Sequence, residues 1–173
     1  MKFLLCFFLL TNLTVLAEDG HHDHNHHHNE EKETKKSLSA HEHGVSVLNI
    51  VQDLNSISFE FEMPGFDVVG FEYKAKKKED IKKVRNALNI LSDYQNMIII
   101  PAEAKCEQET NSAKVLNEGS HSEFISEYIF NCKNLSSIKS IKVKFFDSFK
   151  FSKKLSVTIV STNKKLSKII DKT

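Results

Sequence analysis

Val45-Ser46-Val47-Leu48-Asn49-Ile50-Val51, followed after a polar turn at Asp53 to Asn55 by Ile57-Ser58-Phe59-Glu60-Phe61-Glu62-Met63, is the stretch that decides the fold. In the second run every apolar residue alternates with Ser58, Glu60 or Glu62. A period of two belongs to an extended chain with one face in a core and the other in water. Two such runs joined by a short polar turn predict a β-hairpin.

The hairpin is entered through chemistry. Ala40, His41, Glu42, His43 and Gly44 stand directly before it, and a two-residue interval on an extended chain places His41 and His43 on one face. Six more histidines, His21, His22, His24, His26, His27 and His28, lie upstream, so eight of the nine in the chain fall within residues 21–43. Imidazoles gathered this unevenly read as metal ligands. They suit zinc, copper and nickel alike, with copper favoured on raw affinity, so the run does not say which of the three is bound.

The two histidine groups differ in kind. Around the upstream run there is no apolar residue to fix a geometry, and the linker that comes next mixes Glu30, Glu31, Glu33 with Lys32, Lys35, Lys36. Residues 18–39 are therefore expected to form a disordered, metal-binding arm. His41 and His43, by contrast, are expected at the mouth of a strand. Order should begin near Leu38, with residues 40–173 forming a single domain.

Met1 and Lys2 precede an apolar run from Phe3 to Leu10, and Val15 and Ala17 supply small side chains before a cut. Residues 1–17 thus read as a cleaved secretory signal. The run is too short to span a bilayer and no later one approaches the required length, so no membrane anchor is expected. Cleavage after Ala17 would leave 156 residues with 23 basic and 23 acidic side chains, a balance that gives no case for nucleic acid as a partner. Cys106 and Cys132 remain, since Cys6 leaves with the signal. In an oxidising compartment an even pair reads as a disulfide, the alternative being two thiolate metal ligands.

Further along, Ile81, Val84, Leu88 and Leu91 recur at helical spacing, with Glu79 and Asp80 near the start, predicting a helix laid across one face of a sheet. Met97 to Ile100 reads as a short strand closed by Pro101, and residues 107–120, rich in Asn, Ser and Glu, as a surface loop. From His121 to Cys132 the period returns to two: Phe124, Tyr128, Phe130 and Cys132 share a face, and His121 and Glu123 share the other. Ile141, Val143 and Phe145, then Leu155, Val157 and Ile159, predict two more strands, and 166–170 a last short element. The class these elements predict is α+β, a mainly antiparallel sheet with one principal helix packed on a face.

A zinc site needs three or four N, O or S ligands. Two extended pairs, His41 with His43 and His121 with Glu123, supply four if their strands meet; Glu72 and Glu62 are weaker candidates, which read more simply as solvated carboxylates. Catalysis has little to stand on: the chain has no His-Glu-x-x-His, no nucleophile elbow and no phosphate-cradling glycine loop. The protein is not expected to be an enzyme.

Four motifs taken together resemble the ZrgA-like zinc-regulated periplasmic proteins of Gram-negative bacteria. They are His41-Glu42-His43-Gly44 leading into Leu48-Asn49-Ile50; Val68-Val69-Gly70-Phe71-Glu72; Ile100-Pro101-Ala102-Glu103-Ala104-Lys105-Cys106; and His121-Ser122-Glu123-Phe124 with Tyr128, Phe130 and Cys132. The resemblance runs in order over nearly all of the chain from Ala40. It implies a periplasmic zinc-binding protein, made under zinc scarcity, that assists zinc acquisition, with a periplasmic or inner-membrane uptake component as its partner. Two departures stand out. Tyr73 occupies the place where the family commonly has His, and the histidine tract lies at the amino terminus instead of between the cysteines. The expected function is therefore zinc capture, storage or delivery. The alternatives are a structural or interaction domain with a metal-buffering histidine tail and, third, a zinc hydrolase.

Overall fold

The computed structural model describes residues 42–173. The segment expected to be a signal, the stretch with six histidines expected to be an arm, and His41 lie outside the described residues.

The alternating runs form the expected hairpin. Strand β1 (Val45–Asp53) pairs antiparallel with β2 (Ser56–Pro64), Leu48 opposite Phe61 and Ile50 opposite Phe59. Leu48, Phe59, Phe61 and Met63 are all completely buried on one side. Each such side chain contributes roughly 1.5–3 kcal/mol by leaving water. This hairpin is the centre of a six-stranded sheet, so its apolar face becomes the floor of the core.

Helix α1 (Gly65–Val69) comes immediately after β2, then α2 (Lys78–Leu91), the two-residue β3 (Ile98–Ile99), β4 (Cys106–Glu118) and β5 (His121–Cys132). The chain ends with β6 (Lys142–Val143), α3 (Phe145–Ser148), β7 (Lys154–Ser161) and β8 (Lys164–Asp171). The large sheet has the order β4-β5-β2-β1-β7-β8, while β3 and β6 pair separately. Neighbours in the large sheet are antiparallel except β1 and β7, which run parallel, Leu48 beside Val157.

The expected α+β class, with one principal helix on a sheet face, is corrected. The fold is mostly β: 48% of the described residues lie in strands and 24% in helical segments. Two local readings account for the difference. Of residues 107–120, expected as a loop, 107–118 belong to the thirteen-residue edge strand β4, paired with β5 from Cys106↔Cys132 to Glu118↔His121. Their polarity comes from position, because a strand at the border of a sheet exposes most of its side chains and needs no apolar alternation. Gly119, at φ +58, turns the chain tightly into β5. Phe145 opens α3 instead of continuing a strand, and Val68-Val69 lies in α1.

Helix α2 forms where its periodicity predicted, yet it buries fully only Ala87 and Leu91 among its apolar residues and leaves Ile81 41% exposed. It lies against β4 and α1. Short elements do much of the covering instead. Phe145 stacks on Phe61 with centroids 6.0 Å apart, and Tyr94 meets Phe130 edge-on at 4.9 Å. Aromatic pairs in these arrangements add to the energy of burial itself. Cys106 and Cys132 are joined as a disulfide across β4 and β5, as the even pair predicted.

Candidate metal centre

Three segments distant in sequence meet at the end of the sheet where β1 and β5 begin. The first is the turn before β1. Its Gly44 adopts φ +89, a left-handed conformation that side chains disfavour. The Gly44 carbonyl accepts the N–H groups of Lys153 and Lys154, at 2.8 Å each, so the turn is fastened to the start of β7. His43 projects from it, 56% exposed.

The second segment is α1 together with Gly70, Phe71 and Glu72. Gly65 sits so close to β5 that a Cβ there would collide with Ser122 Oγ and the Phe71 carbonyl. The one-turn helix is thereby seated beside His121. Gly70 closes it in the left-handed conformation, its N–H donating to the Phe66 carbonyl at 2.9 Å. Phe71 and Glu72 come directly after. The third segment is the first residue of β5, His121, brought in by the tight turn at Gly119.

Glu72 joins the two histidines. One carboxylate oxygen, Oε1, lies 3.0 Å from His43 Nε2, and the other, Oε2, lies 2.6 Å from His121 Nδ1. The Glu72 side chain is only 12% exposed while His121 is 64% exposed. Its burial works to raise the carboxyl pKa, but hydrogen bonds and charge from His121 and His43 outweigh that and hold it below the usual 4.5. The imidazole of His43 also stacks nearly flat on Phe66, centroids 5.0 Å apart and planes 13° from parallel.

Two imidazole nitrogens and a carboxylate facing one another are a donor set that zinc accepts. Among the described residues no three His, Cys, Asp or Glu side chains stand ready-spaced around an ion. The contacts here are hydrogen bonds. Donors at about 2 Å in a tetrahedron stand roughly 3.3 Å apart. An ion taking the place of the shared protons would thus part Glu72 from His43 by a few tenths of an ångström and from His121 by somewhat more, a shift that the two half-exposed imidazoles can make while Glu72 stays in place.

Of the candidates expected from sequence, His43, His121 and Glu72 come together. Glu123 lies two residues along β5 from His121, on the same face and nearly buried, opposite Pro64 of β2. Cys106 and Cys132 are consumed by their disulfide and are not thiolate ligands. Tyr73 turns its hydroxyl to Asp80, donating to Oδ2 at 3.0 Å. Two contributors went unnoticed in the sequence, Phe66 and Asp67. Asp67 is completely buried; it accepts the Gly44 N–H at 2.6 Å and the Ser46 hydroxyl at 2.8 Å. An acid set between Phe66 and Val68-Val69 was the one available signal.

A donor set that zinc accepts thus lies on the rim of a mostly β domain. Residues 40–173 match the family model described as ZrgA family zinc uptake protein, and the chain belongs to that family. Its role is accordingly zinc-related. No curated protein matches the chain. Among the described residues no helix is long and apolar enough to cross a membrane.

Proposed function

We propose that the protein captures zinc in the periplasm under zinc limitation and hands it to an uptake component, acting as a binding protein and not as an enzyme. His43, Glu72 and His121 hold the tightest ion, with His41 or a water completing the shell. The upstream histidines His21, His22, His24, His26, His27 and His28 gather further ions more weakly, a reading supported by the lack of any apolar residue among them that would set ligands in place before the ion arrives.

The observation that carries this reading is the shared carboxylate: Glu72 faces both imidazoles at hydrogen-bonding distance from three separate segments of chain. Such convergence at a surface, with both rings more than half exposed, suits an ion that must enter and leave. A catalytic zinc would instead be expected beside a cleft that shelters a substrate.

The test is the metal content of untagged protein taken from the periplasm of zinc-limited and zinc-replete cells. Zinc above one ion per chain, with one ion surviving dialysis against a weak chelator, is the expected result. Metal-free protein under both conditions, or protein found only in the cytoplasm, would overturn the reading.

A further inference from the structure

We propose that Asp67 is the positioning residue of the zinc site: it touches no ion, and it registers the turn that bears His43 against the helix that delivers Glu72. The inference rests on the zinc reading above and adds to it the part of the fold that sets the site's geometry.

Asp67 is fully buried, as are Ser46 and Ser152. Its two oxygens are divided between the residues flanking the start of β1. Oδ1 accepts the N–H of Gly44, the residue next to His43, and Oδ2 accepts the hydroxyl of Ser46. Ser46 Oγ lies 3.3 Å from Ser152 Oγ, whose hydroxyl donates to the Lys154 carbonyl at 3.2 Å. One carboxylate therefore gathers α1, the His43 turn and the approach to β7.

A buried carboxylate is a costly way to fill space, and an apolar side chain of similar size would serve a merely structural purpose as well or better. What the carboxylate supplies is direction, since Oδ1 holds the peptide N–H of Gly44 while Oδ2 holds the Ser46 hydroxyl just beyond it. The neighbouring residue completes the arrangement. Phe66 supports the ring of His43 from below while Asp67 holds its backbone, so a single helical turn sets both the origin and the tilt of that imidazole. The same turn ends at Gly70 and leads to Glu72. The separation between the two ligands is thus written into one short element, and a ligand held beforehand loses less on binding.

The test uses the full chain, with zinc affinity read by chelator competition, the site's geometry by the visible spectrum of bound cobalt, and apo stability by thermal unfolding. Asp67→Ala should raise the Kd of the tightest zinc about 10- to 100-fold, the range for loss of a residue supporting a ligand, and alter the cobalt spectrum. Asp67→Asn should recover most of the affinity, because its amide oxygen can accept from Gly44 and its nitrogen can donate to Ser46 Oγ. Ser46→Ala, which removes one partner only, should fall between wild type and Asp67→Ala, and stands in should the latter fail to fold. Ile57→Ala, a core truncation at the far end of β2, should lower the melting temperature without changing Kd or spectrum. Wild-type affinity and spectrum in Asp67→Ala, alongside loss of the site in His121→Ala, would overturn the role of Asp67 alone. Equal weakening by Ile57→Ala would make the effect one of general stability. Tight binding that survives His121→Ala would overturn the zinc reading itself and Asp67's role with it.

Discussion

His121 Nδ1 lies 2.6 Å from Glu72 Oε2, although 49 residues separate them in the chain. The contact exists because Gly65 lets α1 press against Ser122 and because Gly119 turns β4 back into β5 just ahead of His121. Two glycines therefore stand behind one hydrogen-bonded pair. With His43 on the other carboxylate oxygen, the three side chains are expected to behave as a unit.

Units of this kind are not additive. His43→Ala and His121→Ala should each remove the tightest zinc site, and the double variant should lose no more than either one. Isothermal titration of the three proteins checks this. Independent losses that sum would mean that the imidazoles serve separate ions.

The disulfide predicts that thiol titration of unfolded, unreduced protein finds no free thiol at Cys106 or Cys132. Its reduction should cost about 3 to 4 kcal/mol of stability in the loop-entropy picture, measured by denaturant unfolding with and without reductant. Zinc binding should survive mild reduction, because the sulfurs are not ligands. A loss of zinc that tracks thiol formation would argue otherwise.

Tyr128 sets the alkaline limit. Burial pushes its phenol up to about 12, and its hydroxyl donates to the Leu91 carbonyl at 2.6 Å. The raised value fixes the sign. Below about pH 10 the phenol is neutral in folded and unfolded chains alike and its contribution is fully present. Between about 10 and 12 only the unfolded chain ionises, and stability falls by roughly 2 to 3 kcal/mol. Tyr128→Phe should flatten that part of the stability profile while lowering stability at neutral pH through the lost hydrogen bond. An unchanged alkaline slope in the variant would assign the loss to other groups.

Residues 18–39 are expected to add capacity and not affinity. Deleting them should reduce the number of zinc ions bound per chain while leaving the tightest one, and the circular dichroism of the sheet, as they were. Equilibrium dialysis with metal analysis reads both numbers. Removal of the tightest ion by this deletion would place it in the arm.

Much of the fold was legible because strands with one face in the core carry their alternation openly, as Ile57 to Met63 and Phe124 to Cys132 do. What misled was position within the sheet. β4 lies at an edge, so residues 107–118 carry little apolar signal and look like a loop; their pairing is visible only through the two cysteines at matched register. Phe145 alternates with Val143 yet folds into α3, since the stack on Phe61 rewards a turn there more than a longer strand would. The predicted helix was real, but its stripe of Ile81, Val84, Leu88 and Leu91 overstated how much it covers. At the site, His43 and His121 were readable as members of two-residue pairs, whereas the prominence of Glu72 depends on a left-handed glycine and a one-turn helix that no periodicity announces. Asp67 was harder still, because a buried acid reveals itself only through the partners that the fold brings to it.

The most direct test of the shared zinc site is an anomalous difference map, collected at the zinc edge, from crystals of the zinc-loaded protein. A peak is expected about 2 Å from His43 Nε2, from His121 Nδ1 and from at least one oxygen of Glu72, with the hydrogen bonds between them replaced by bonds to the ion. A tight, fully occupied peak elsewhere, with Glu72 still hydrogen-bonded to both imidazoles, would contradict it.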